Sequence, residues 1–128
     1  MIRKDCYTKA GYRCEICGGK GDKWPVECHE VWHYDDKNNI QTLKRLIALC
    51  PMCHKSKHIG LAEINGELDI VREHLMKVND ITIDEANRYI SDVFTKWRER
   101  SAKKWDIDIN YLTSIMPVSY THLRAHET

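Results

Sequence analysis

Apolar positions along this chain change their period part-way. From residue 68 onward the spacing is helical: Leu68, Val71, Leu75 and Val78 keep one face, and Ile83, Ala86, Ile90, Val93, Phe94 and Trp97 keep another. The run "TIDE", Thr82 to Glu85, has the capping-box pattern and predicts a helix start between the two stripes. All of these apolar residues are expected in the core.

Upstream the pattern shortens. "WPVECHEVW", residues 24–32, has the β-branched and aromatic content of a strand, and "RLIALC", residues 45–50, is a short apolar run that fits a second, buried strand. The polar "YDDKNN" between them predicts a hairpin loop, with Asp35 and Asp36 starting the turn. Residues 2–12 predict a short helix ending at Gly11, and "CHKSKHIGLA" predicts another that begins directly after the second cysteine pair. "WDIDINYL", residues 105–112, alternates as a short edge strand would, and Trp97 and Trp105 are expected to pack as anchors. The expected class is α+β, and 128 residues suit one compact domain.

The N-terminal stretch lacks the apolar segment of a signal peptide, and no run is long enough to span a bilayer, so a cytoplasmic protein without a membrane partner is expected. In a reducing compartment six cysteines point to metal binding or burial more than to disulfides. Formal net charge is +1, but residues 1–60 carry 11 Lys and Arg against 7 Asp and Glu, and residues 61–128 carry 9 against 12. The first half is the one expected to meet a polyanion, and the acidic second half suits a dimer surface or a partner dock. "PVSYTHLRAHET", residues 117–128, has no periodicity and resembles translated adapter or vector sequence. It is set aside as a non-native tail, with no role for His122 or His126.

"CPMCHKSKH", residues 50–58, holds two cysteines and two histidines. Helical neighbours turn by about 100°, so Cys53 and His54 cannot easily share an ion, whereas His54 and His58, at i and i+4, lie on one face. The run therefore splits into two half-sites. Cys50 and Cys53 need two more soft ligands for a tetrahedral zinc, and "CEIC", Cys14 and Cys17, supplies the same spacing upstream. A zinc finger of the two-cysteine, two-histidine kind is excluded, because it keeps about twelve residues between its cysteine and histidine pairs. His54 and His58 form a helical platform, and "ECHEVWHY" on the predicted first strand can present His29 or Glu30 to the same ion, with His33 in reserve. Cys6 and Cys28 are expected as buried or free thiols.

The ordered pieces "GYRCEICG", "ECHEVW" and "LIALCPMCHKSKH" resemble an HNH endonuclease of the type with a four-cysteine zinc site, built on the ββα-metal fold. The resemblance covers roughly residues 8–60. It implies an HNH core with structural zinc over residues 1–60 and leaves residues 61–116 as a helical extension. The implied activity is hydrolysis of DNA phosphodiester bonds with one catalytic divalent metal (Mg2+, Mn2+, Ni2+ or Zn2+), in phage, mobile-element or defence biology. His54 and His58 match the family's helical metal ligands.

On the first strand this chain has "CHE" where the family has His-His or Asp-His. One register makes His29 a ligand and Glu30 the general base; the other makes His29 the base and leaves Cys28 beside it. The family's Asn before the second knuckle has Lys44 and Arg45 as its nearest counterparts here, with Asn38 and Asn39 further upstream. Arg45, Lys55 and Lys57 are candidate phosphate contacts. The alternative reading is a catalytically inactive zinc-stabilised module that binds nucleic acid or protein.

Overall fold

The computed structural model describes residues 2–115; the expectations for residue 116 and the tail, with His122 and His126, lie outside them. The order of elements is α1 (Ile2–Lys9), β1 (Glu27–Asp35), β2 (Ile40–Leu49), α2 (Pro51–Lys57), α3 (Ile59–Ile64), α4 (Leu68–Asn79), α5 (Ile83–Ser101), β3 (Asp106–Asp108) and α6 (Tyr111–Ile115). The class is α+β, with a small three-stranded sheet in the order β1-β2-β3.

β1 and β2 form an antiparallel hairpin from Glu27↔Leu49 at its open end to Asp35↔Ile40 at its tip, with one irregularity at Val31/Trp32. Both strands run into what reads as a polar loop. The turn tightens to residues 36–39 because Asp35 Oδ1 accepts the backbone N–H groups of Lys37 and Asn38, each at 3.1 Å. β3 lies parallel to β2 at the sheet edge, pairing Ile40 with Asp106.

The apolar run in β2 is buried on both faces, which is why it does not alternate. Ile47 and Leu49 join Cys14, Cys50, Cys53 and Val31 on one face; Ala48 joins Val26 and Cys6, with Cys28 packed alongside, on the other. α1 packs on that second face and stops at Lys9, two residues before Gly11. Gly11 and Tyr12 both take positive φ, 64° and 59°, and the chain turns back there.

The helix expected after the second knuckle is two helices, broken at His58 (φ −117°, ψ 57°). Six helical residues turn by about 240°, so an unbroken helix would carry Ile59 well away from the face of Cys53. The break lets Cys53 serve the knuckle cluster while Ile59 and Ala62 enter a second cluster with Val71, Leu75 and Ile90.

In that second cluster the helical stripes largely hold: Val71, Leu75, Ala86 and Ile90 are buried. Ile83 and Trp97 are corrections to the expected core, 53% and 64% exposed. α5 has 19 residues and α4, against which it packs, has 12, so α4 is too short to cover the whole α5 stripe. Trp105 does act as an anchor: its ring meets Tyr34 edge-on at 5.4 Å, and its Nε1 donates to the Arg100 carbonyl at 2.8 Å. Arg100 stacks over Tyr34 and donates two hydrogen bonds to Asp36, each 3.2 Å, fastening the end of α5 to the hairpin tip. Among the described residues no helix is long and apolar enough to cross a membrane.

Candidate metal centres

The two cysteine pairs come together although 32 residues separate Cys17 from Cys50 in the chain's middle. Glu15 does much of this: its N–H donates to the Ala48 carbonyl at 2.9 Å, and its Oε2 accepts from Ala48 N–H at 2.6 Å. The first knuckle is thereby docked beside the end of β2, where Cys50 follows. Cys50 caps α2, accepting from Cys53 N–H through Sγ, and Pro51 occupies the first helical turn without losing a needed donor. Gly21 fits between Trp24 and Pro51 so closely that a Cβ there would lie 2.5 Å from the Trp24 carbonyl oxygen, so this approach requires glycine.

The four Sγ atoms of Cys14, Cys17, Cys50 and Cys53 lie within 4.8 Å of one another. Tetrahedral zinc bonds of about 2.3 Å separate neighbouring sulfurs by about 3.8 Å; Cys17 Sγ and Cys50 Sγ are 3.7 Å apart. The donor set and its spacing fit a structural metal site of the zinc type. Every sulfur also has a hydrogen-bond partner. Cys14 meets Ile16 and Cys17 amides at 3.4 and 3.5 Å, Cys17 meets the Gly19 amide at 3.4 Å, and Cys50 meets the Cys53 amide at 3.4 Å. For Cys53 the partner is a side chain, His74 Nε2 of α4, at 3.1 Å. Burial alone would raise the Cys14 thiol, but the amides aimed at it bring it down to about 7. Burial pushes Cys50 and Cys53 up.

A second cluster forms where β1 passes α2. Ring nitrogens of His29, His54 and His58 lie within 4.8 Å of one another. Cys28 packs with Cys6 and Val26 beside α1, so the alternation of β1 turns His29 to the α2 face. His58 lies beyond the end of α2, yet the chain at the break still sets it one turn above His54, with Nε2 to Nε2 at 3.1 Å. Nitrogens around one ion with bonds of about 2.1 Å stand about 3.0 to 3.4 Å apart. His54 Nδ1 is 3.2 Å from Glu27 Oε1, and an ionised carboxylate can only accept, so Nδ1 donates to it and Nε2 is the nitrogen that faces His58. Burial, then the charges of His54 and His58, lower His29 to about 4. Burial and His54 lower His58 as well, against the raising effect of Glu30 and Glu27. Burial that disfavours the charged form of His29 and His58, with ring nitrogens of all three histidines close together, suits a divalent ion.

The remaining sequence candidates are placed differently. Glu30 is exposed and one step out of phase with His29; it lines the same cavity but is not part of the converging cluster, and the strand irregularity comes only after it. Lys57 lines that cavity. Lys55 turns to Glu67, Nζ to Oε2 at 2.5 Å. Arg45 is exposed on β2 opposite Val31, and His33 is exposed two residues beyond Val31. Two residues that sequence reasoning passed over join the centres: Glu27, two positions before His29 on the same strand face, and His74, bordering the Val71–Leu75 stripe.

No known protein family, curated protein or solved structure gives a match to this chain.

Proposed function

We propose that this chain is a metal-dependent DNA endonuclease of the HNH kind, hydrolysing phosphodiester bonds with one catalytic ion. The observation that carries the reading is the convergence of His29, His54 and His58 beside, but separate from, a four-cysteine centre. A module needing only a structural ion has no use for a second cluster of converging imidazoles. The order of knuckle, hairpin, knuckle and short helix supports the same reading.

In this reading His29, His54 and His58 hold the divalent ion, and Glu27 fixes the tautomer and orientation of His54. The ion would supply Lewis-acid stabilisation of charge on the phosphate and on the leaving 3′ oxygen. With all three histidines engaged as ligands, proton abstraction from the attacking water falls to a carboxylate, and Glu30 at the rim of the same cavity takes that role. Lys57 contacts a phosphate oxygen. The four-cysteine centre holds zinc and joins the first knuckle to α2.

The exposure of Glu30 and its phase relative to His29 favour one competing reading, a zinc-stabilised binding module without catalysis. Plasmid cleavage separates the two. The full chain is incubated with supercoiled DNA in magnesium, manganese or nickel, beside His29→Ala and His54→Ala variants checked for folding and zinc content. Nicking or linearisation by wild type and not by the variants supports the nuclease. Intact plasmid under every ion, with one zinc bound and no second ion, supports the module.

A further inference from the structure

Trp97 occupies a position that the helical stripe of α5 assigns to the core, yet it is 64% exposed. It does not face open water at random. Trp97, Trp32 and Phe94 line the same cavity of about 630 Å3 as His29, His54 and His58, a volume within the usual ligand-pocket range of roughly 300–1,000 Å3. A second cavity continues from the first through shared walls at Tyr34, Lys57 and Trp97, and it is rimmed by Lys96, Arg100 and Lys103. Lys57 makes no ion pair among the described residues, and Lys96 reaches Glu99 only at 3.8 Å with both side chains more than half exposed. An exposed indole thus sits between the histidine cluster and Lys96 and Lys103, on a rim where Arg100 is paired with Asp36 and Asp92 also lines the wall.

We propose that Trp97 is a stacking wall for an unpaired nucleotide, so that the ligand of this surface is a single-stranded stretch of DNA running from the histidine cluster along the basic end of α5. The proposal rests on the nuclease reading for its ligand class. Two features favour this occupant. Bases offer flat apolar faces and their phosphates need cations, and alternation of rings with Lys and Arg meets both needs. Bases inside a duplex are already stacked on both sides, so an exposed indole gains a base face only where pairing is absent. A second copy of this chain is disfavoured because residues 96–104 carry five cations and one carboxylate, setting like charges against each other.

The test is fluorescence anisotropy of a labelled single-stranded oligonucleotide and of a hairpin duplex of matching sequence, with the full chain in its zinc-bound form and no other divalent ion added. Wild type, Trp97→Ala and Trp97→Phe are compared after their melting temperatures are found to agree. Wild type is expected to prefer the single strand. Trp97→Ala is expected to weaken that binding about tenfold or more and leave the duplex within about twofold, with Trp97→Phe recovering most of the loss.

Unchanged single-strand binding by Trp97→Ala, equal loss for strand and duplex, or no nucleic-acid binding by wild type overturns the proposal. So does concentration-dependent self-association, seen by sedimentation, that Trp97→Ala removes. Separate plasmid assays keep the two readings apart. Cleavage without dependence of binding on Trp97 sinks only the stacking wall; Trp97-dependent strand binding without cleavage under any ion sinks only the nuclease.

Discussion

Glu27 Oε1 lies 3.2 Å from His54 Nδ1, across 27 positions of sequence, and holds the imidazole that faces His29 and His58. Carboxylates in this relation to a metal-binding histidine fix its tautomer and raise its basicity. Glu27→Ala is expected to weaken binding of a second divalent ion by about 10- to 100-fold while the four-cysteine zinc stays bound. Calorimetric titration with manganese or nickel, paired with zinc analysis, reads both. Equal affinity in wild type and variant would remove Glu27 from the site.

His74 Nε2 lies 3.1 Å from Cys53 Sγ, the one sulfur of the four that no backbone amide serves among the described residues. His74→Ala is expected to lose zinc to a competing chelator about 10- to 100-fold more readily, and His74→Gln, which keeps a side-chain N–H, to lose less. The same contact ties α4 to the cysteine centre, so zinc removal is expected to lower hydrogen-exchange protection in α4 as well as in the knuckles. Unaltered zinc retention in His74→Ala counts against this.

Thr82 and Glu85 form a reciprocal capping box at the start of α5: the Thr82 side chain accepts from Glu85 N–H at 3.2 Å, and Glu85 Oε1 accepts from Thr82 N–H at 3.2 Å. Thr82→Ala is expected to cost about 0.5–2 kcal/mol in urea unfolding without altering zinc content. A loss well under that range would show that packing on α4 alone holds the helix start.

Asp36 is held below the usual carboxylate range, chiefly by hydrogen bonds from Arg100 and then by its charge. A depressed folded value means that the stability from ionised Asp36 is full above about pH 4, the ordinary Asp value, and is lost as pH falls through the folded value. Asp36→Asn is therefore expected to melt lower than wild type at pH 7, with the gap closing in acid. Melting curves of both proteins from pH 7 to pH 3 test it, and an undiminished gap at pH 3 refutes the assignment. The effect is expected to be small, because both side chains are in contact with solvent.

Local pattern made much of this molecule legible. The capping box, the α4 stripe and the buried second strand each depend on residues within a few positions of one another, where a period of 3.6 or 2 already specifies the face. Matching cysteine spacing identified the four sulfurs as a set because a tetrahedral ion asks for two such pairs. The placement of Ile83 and Trp97 was not legible, since periodicity reports which face a residue is on and not whether a neighbouring helix extends far enough to cover it. The break at His58 escaped for a related reason: it answers a demand from two separate clusters at once.

The sequence by itself determined which side chains were available: two knuckles, histidines one turn apart, and a strand histidine within reach. Tertiary structure alone decided that His29 meets His54 and His58, that Cys28 belongs to the opposite face, and that Glu27 and His74 complete the two centres. The physical reason is range. Helical period, strand alternation and capping act over one turn or one pleat, whereas the bonds from Glu27 to His54 and from Cys53 to His74 join residues 27 and 21 positions apart. Those distances exist only once the hairpin and α4 have packed against α2.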